Sequence, residues 1–316
     1  MSVDGTPVKR LVTTLGPRSV DELGMILPHE HVFVDLRSWD QPGYGEADPD
    51  DVVRLMTPEI EAARAAGVTA IVEPSTVGVG RRVDILLAVS RATGFPLVAG
   101  TGVYREPWLP PWVRDADEHE LRGWMIRELT VGIEDSGVRA GWIKVGASDA
   151  GVTHMEAKVL RAAAAAAIET GAAIGSHTVR GEVARAQLDI IESVGALPDC
   201  FVWIHAHQEP DVAIHHELGR RGAWIEYDGI GDPADDDRFC DLVRRGLDAG
   251  LRDRLLLSQD RGWYDPAQPG GGTPKPFTYL PDVFLPKLAD AGIDDDTIAA
   301  LMSRNPFEAF ARPAAG

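Results

Sequence analysis

Short apolar runs rich in β-branched and aromatic residues recur along the chain and alternate with helix-like stretches. Eight such runs stand out, at 25–31, 68–75, 95–104, 141–148, 171–178, 201–207, 223–230 and 254–260. Between them lie segments such as DDVVRLMTPEIEAARAAG, RRVDILLAVSRATG, THMEAKVLRAAAAAAIETG and FCDLVRRGLDAG, each closing on a glycine where a helix C-cap would sit. Strands alternating with helices predict parallel βαβ units, and eight of them predict an α/β fold of the (β/α)8 or TIM-barrel type. Ahead of the first barrel strand, KRLVTTLG and DELGMIL flank the turn-like GPRSVDE and predict a short N-terminal β-hairpin on the barrel floor. After the eighth strand, 263–286 is rich in Pro and Gly, and a loop that long in a compact domain is usually functional or mobile. No linker or low-complexity break divides the pattern, so 1–316 reads as a single barrel domain.

Charge and cysteine usage narrow the partners. With 31 Lys and Arg against 49 Asp and Glu, the net charge of −18 repels nucleic acid and anionic membranes. A small-molecule substrate fits better. Cys200 and Cys240 are the only cysteines and are far apart, which supports neither a disulfide framework nor a thiolate zinc site and suggests a reducing, cytoplasmic setting. The polar N-terminus MSVDGTPVKRLVTTLG lacks the apolar core of an export signal, and the longest apolar run, LRAAAAAAIETGAAIG, is broken by charge and glycine, so no membrane span is expected. The exterior of such a barrel could support a homodimer.

The stretch GMILPHEHVFVD carries two imidazoles with a carboxylate between them. Alternation along a strand puts His29 and His31 on one face and Glu30 on the other, so the imidazoles can converge on a metal ion or sit as hydrogen-bonded core histidines. The pair alone does not choose. Barrel enzymes build their sites at the C-terminal strand ends, and there the chain places His29, His31, Lys144, His177, His205 and Asp260. Four separate core histidines would each need a buried partner at one end of one barrel, which favours a shared metal site. A lysine inside GWIKVGAS that points into a barrel would lose charge through burial and nearby metal cations, and the neutral amine can add carbon dioxide to become a bridging carbamate. The lesser alternative is a lysine paired with a buried carboxylate or snorkelling out of the barrel mouth.

Taken together, LGPRSVDELGMILPHEHVFVD, GWIKVGAS, AAIGSHTVRGE, VWIHAH and LLLSQDRGW resemble, in order and spacing, the phosphotriesterase family of the amidohydrolase superfamily, including its lactonase branch. The resemblance covers essentially the whole chain. It implies that His29, His31 and Asp260 hold the more buried of two divalent metal ions, expected to be Zn2+ with Co2+, Mn2+ or Fe2+ as alternatives. His177 and His205 would hold the other, and N6-carboxylated Lys144 and a hydroxide would bridge them. His207 competes with His205 for the sixth-strand position, and aligning WIHAHQEPD on the family pattern favours His205. Asp260 would also take up the proton released during attack.

Substrate contacts are expected from the loops. Tyr104, Arg261 and Trp263 follow strand ends as an aromatic rim with one cation, while Asp228 could orient a ligand or substrate or be held by local amides. Trp108 and Trp112 suit either the pocket mouth or a packed loop anchor. Tyr104 matches the tyrosine of the lactonase branch, but Gly229 stands where acyl-homoserine lactonases of that branch carry an arginine. Arg261 stands where organophosphate-degrading members have an apolar aromatic residue. The expected activity is therefore a binuclear metal-dependent hydrolysis of a lactone or related small ester, with phosphotriester or amide hydrolysis as alternatives. A barrel that binds metal and a ligand without catalysis is the reading from another class, and Asp260 beside a complete ligand set argues against it. His119, His154, His215 and His216 are expected on the surface.

Overall fold

A computed structural model of the protein describes residues 8–313, so the first part of the N-terminal stretch read for an export signal lies outside it. Parallel strands occupy the eight expected positions: β3 (Met25–Leu27), β5 (Val68–Val72), β6 and β7 (Leu97–Val98 and Gly100–Thr101, one strand interrupted at Ala99), β8 (Trp142–Gly146), β9 (Ile174–His177), β10 (Phe201–Ile204), β11 (Trp224–Tyr227) and β12 (Leu255–Leu257). Ladders run β3-β5-β6 and β7-β8-β9-β10-β11-β12, with helices between successive strands. This is the TIM-barrel architecture. Among the described residues, no helix is long and apolar enough to cross a membrane.

Alternation along the strands divides the core. Ile26, Ala70, Val72, Trp142, Val202 and Leu256 point inward with Leu11, Phe307 and Phe310 beneath them, while Ile71, Ile143, Phe201, Trp203 and Leu257 pack outward against the helices. The helices end as their sequences predict: Thr153 and Glu156 form a capping box ahead of His154–Thr170, and Gly94 and Gly171 close their helices in the left-handed conformation. One glycine makes room inside the barrel. A Cβ on Gly175 would stand 2.4 Å from the Trp142 ring, the side chain on which the floor beneath the site rests.

Three expectations are corrected. The hairpin turns earlier than GPRSVDE: β1 (Lys9–Thr13) pairs antiparallel with β2 (Gly16–Arg18) across Thr14 and Leu15, because Gly16 supplies a φ of 93° and Thr13 Oγ1 bonds the Gly16 carbonyl. The first barrel strand does not run through the histidine pair. It stops after Leu27 and resumes as β4 (His31–Phe33), since Pro28 has no N–H to give to a ladder. His215 lies inside rather than at the surface, with its ring 5.2 Å from that of Trp203 and its Nδ1 3.1 Å from the Tyr227 hydroxyl.

The seam between the last barrel strand and the first is irregular. Instead of a ladder, His29 donates its backbone N–H to Ser258 Oγ at 2.9 Å and Asp260 donates to the His29 carbonyl at 3.2 Å. Beyond that point β13 (Gly262–Tyr264), within the long segment read as a loop, pairs parallel with β4.

Burial pulls the His215 imidazole down to about 4, so the folded protein keeps it neutral where the unfolded chain would protonate it. Its contribution is undiminished above about pH 6.5 and is lost as pH falls toward about 4, by about 3 kcal/mol in all. His215→Phe should remove that part of the acid destabilisation, measured by urea unfolding near neutrality and in mild acid. A variant with the wild-type pH slope would contradict the assignment.

Candidate metal centre

The C-terminal strand ends bring His29, His31, Lys144, His177, His205 and Asp260 around one cavity of about 130 Å³. His29, His31 and Asp260 each offer a ligand atom, all within 4.8 Å of one another. Asp260 Oδ1 lies 3.3 Å from His31 Nε2 and 3.8 Å from His29 Nε2. On the other side the His177 and His205 rings meet edge to face at 4.5 Å, and His205 is 5.3 Å from His29.

What turns these atoms toward the cavity is a layer of buried oxygens beneath them. The Nδ1 of His29 lies 2.9 Å from Glu226 Oε1, and that of His205 lies 2.9 Å from Asp228 Oδ2. Ser75 Oγ donates to the Phe33 carbonyl, which leaves it to accept from His31 Nδ1 at 2.8 Å. With Nδ1 thus engaged, Nε2 is the ring nitrogen that each of these three has left for a ligand. The rows WIEYD and VEPS hold these supporting groups. Glu226 and Asp228, two apart in one strand, share its inner face, a pattern open to the same alternation argument that singled out the histidines.

His205 owes its place to a single dihedral. Ile204 already points inward, so plain alternation would send His205 out with Phe201 and Trp203. A left-handed φ of 65° turns it back into the cavity. His207 lies outside the cavity, with Nδ1 3.0 Å from Asp228 Oδ1 and its ring 5.4 Å from Phe239. It fills the room a side chain at 229 would need: a Cβ on Gly229 would stand 2.5 Å from His207 Nε2, which explains the absence of an arginine there.

The electrostatics suit cations. Burial lowers the His29 and His177 imidazoles well below their ordinary value, so both are neutral and able to act as ligands. Burial also lowers His31, but Asp260 and Glu73 outweigh it and raise this imidazole to about 9. Burial raises Asp260 less than the neighbouring imidazoles lower it, and its carboxylate stays ionised. Lys144 is buried, forms no ion pair among the described residues, and is drawn down to about 8 by burial against the pull of Glu226, Asp228, Asp260 and Glu73. Neither the ion-paired nor the snorkelling lysine is what the fold contains. Among the described residues, the buried Nε2 of His177 and Oδ1 of Asp260 have no hydrogen-bond partner. Two orphaned ligand atoms and an unpaired buried amine facing one cavity fit a metal centre.

The four expected substrate contacts divide. Tyr104 and Trp263 line the cavity, with rings 5.1 Å from His177 and 5.5 Å from His31 respectively. Asp228 is fully buried behind His205 and orients its imidazole, Oδ1 lying 3.0 Å from Nδ1. Arg261 turns away from the cavity, bonding the Gly231 carbonyl and lying 5.5 Å from the Tyr279 ring. Its size explains Gly231, where a Cβ would meet the guanidinium. Trp108 serves as a loop anchor, donating to the Leu36 carbonyl at 2.9 Å, and Trp112 packs on Trp124 with ring centres 5.0 Å apart.

Comparison with known proteins agrees with this architecture. The model of the phosphotriesterase family matches residues 9–310. A phosphotriesterase homology protein of Escherichia coli is 27% identical over 92% of this chain and 99% of its own. An aryldialkylphosphatase of Saccharolobus solfataricus is 26% identical over 95% and 99%. A solved mutant of a PTE-like lactonase from Deinococcus radiodurans superposes with a TM-score of 0.84 at 30% identity, covering 95% of this chain and 99% of that one.

The geometry predicts different outcomes for neighbouring histidines. His205→Ala should lose bound divalent metal, whereas His207→Ala should keep its metal affinity within about tenfold, the lower end of what outer residues of metal sites contribute. Elemental analysis and competition with a chelating dye read both. Equal loss from the two variants would remove the distinction drawn here.

Proposed function

The chain belongs to the phosphotriesterase family, and from that membership and the geometry of the centre we propose that this metal-dependent hydrolase acts on a lactone or related small carboxylic ester. In this reading the centre is binuclear, with His29, His31 and Asp260 on one ion and His177 and His205 on the other. Lys144, once carboxylated by carbon dioxide, would serve as a further anionic ligand between them, and zinc is the expected metal. When bound, divalent ions at this place activate water as a nucleophile and polarise the oxygen of the bond under attack.

The chain's own groups do the rest. Asp260, ionised and facing the same cavity, accepts the proton released as water attacks and returns it to the leaving oxygen. Burial pushes the Tyr104 hydroxyl up to about 12, so it remains a neutral hydrogen-bond donor at the cavity wall. Trp263 closes the opposite side and donates its indole N–H to the Asp260 carbonyl at 3.1 Å.

The observation that carries the substrate reading is size. A cavity of about 130 Å³ between Tyr104 and Trp263 suits a compact ring with a planar carbonyl, whereas a phosphotriester spreads three substituents around a tetrahedral phosphorus. The likeness to a solved lactonase supports this reading. The relative named aryldialkylphosphatase favours a second one, phosphotriester hydrolysis by the same activated water.

Protein grown with added divalent metal is expected to hold about two ions per chain. Lys144→Ala should lose metal and activity together, and a small added carboxylate should restore part of both. Asp260→Asn should lower turnover by roughly 100- to 10,000-fold, with metal content measured alongside to separate proton transfer from weaker binding. Across short lactones, aryl esters, N-acyl amides and dialkyl aryl phosphates, kcat/KM should be greatest for a lactone or ester. A clear lead for the phosphates would select the second reading, and metal-free protein with full turnover would overturn both.

A further inference from the structure

Glu30, the carboxylate between the two histidines, faces away from the cavity and is fully buried. It meets the turn that carries Asp260. Oε2 accepts the Arg261 N–H at 2.7 Å, and Oε1 accepts the Gln259 N–H at 3.0 Å, the Ser258 hydroxyl at 2.9 Å and the Gln259 amide at 3.2 Å. The Gln259 side chain continues the tie, donating to the Phe277 carbonyl at 2.8 Å and accepting the Leu280 N–H at 2.8 Å.

That turn needs holding. Asp260 at φ 52°, Gly262 at 91° and Trp263 at 76° lie in the left-handed region, which bulky residues adopt only where their surroundings impose it. The same turn is stitched to the histidines themselves, Asp260 donating to the His29 carbonyl and His31 donating to the Arg261 carbonyl at 2.8 Å. Glu30 sits where the barrel seam lacks a regular ladder, and it takes up the backbone N–H groups on both sides of Asp260.

We infer that Glu30 is a positioning residue: its carboxylate holds the Gln259–Arg261 backbone in the course that aims Asp260 at the cavity, and so sets the affinity of the ion shared by His29, His31 and Asp260. The inference rests on the binuclear reading. It separates the two ions, because Lys144, His177 and His205 come from strands that Glu30 does not touch. Both Glu30 oxygens face N–H groups of the turn. A glutamine at this position must therefore turn its NH2 against the Arg261 N–H or the Gln259 N–H, and one of them loses its acceptor.

The test is metal titration of the apoprotein with Co2+ for wild type, Glu30→Gln, Asp260→Asn and His177→Ala, with thermal unfolding of each apoprotein in parallel. Glu30→Gln is expected to hold one ion at near wild-type affinity and to bind the other about 10- to 100-fold more weakly. Its residual cobalt spectrum should match that of Asp260→Asn and differ from that of His177→Ala. Two ions held at wild-type affinity, even with a lowered melting temperature, would show a purely structural carboxylate and overturn the inference. Equal weakening of both ions would overturn it as well. If Glu30→Gln does not yield folded protein, Glu30→Asp, which keeps the charge and shortens the reach, is judged by the same readings. A wild-type protein that binds no metal would instead sink the metal reading itself.

Discussion

The arrangement at the barrel mouth depends on one constraint: an imidazole buried among apolar strands must give its N–H to something. Glu226, Ser75 and Asp228 engage the Nδ1 atoms of His29, His31 and His205, and each of those rings is then left to turn its Nε2 to the same small space. Remove the oxygens and the tautomers are no longer specified, however well the histidines are spaced. The layer of supporting groups, buried as deeply as the ligands, is thus part of the centre.

That layer carries an electrostatic debt. Glu73, Glu226, Asp228 and Asp260 gather around Lys144, the one buried ammonium among the described residues, and burying unbalanced carboxylates is unfavourable. Burial and Asp228 hold the Glu226 carboxyl well above its ordinary range, while the carboxylates beside His31 raise its imidazole. Divalent cations among the histidines would supply the missing positive charge and allow the imidazoles to stay neutral. The overall charge of −18 points the same way without locating the effect.

The irregular seam is the mechanical counterpart. Seven of the joins between neighbouring barrel strands are parallel ladders, that of β3 with β5 shifting register between Met25 and Ile26, and the join between β12 and β3 departs from a ladder at Pro28 and again at Asp260. A regular ladder would fix every side chain by alternation. By abandoning the ladder there and substituting side-chain acceptors, the fold gains the freedom to direct His29, His31 and Asp260 at one point, at the strand ends where barrels place their sites.

From the sequence alone, the eight strands, the helices between them and the set of residues at the strand ends were legible, because they follow from periodicity and from the rule that barrels place chemistry at C-terminal strand ends. The resemblance added which of those residues are expected to share an ion. Tertiary structure decided the remainder. It separated His205 from His207 through one left-handed residue, moved His215 from the surface to the core, and turned Arg261 out of the pocket. It also gave Glu30 a role that no spacing rule assigns. Periodicity states which face of a regular strand a residue takes, whereas the site lies where strands stop being regular, and there a side chain's direction depends on partners more than 200 positions away, as Glu30 and Arg261 are.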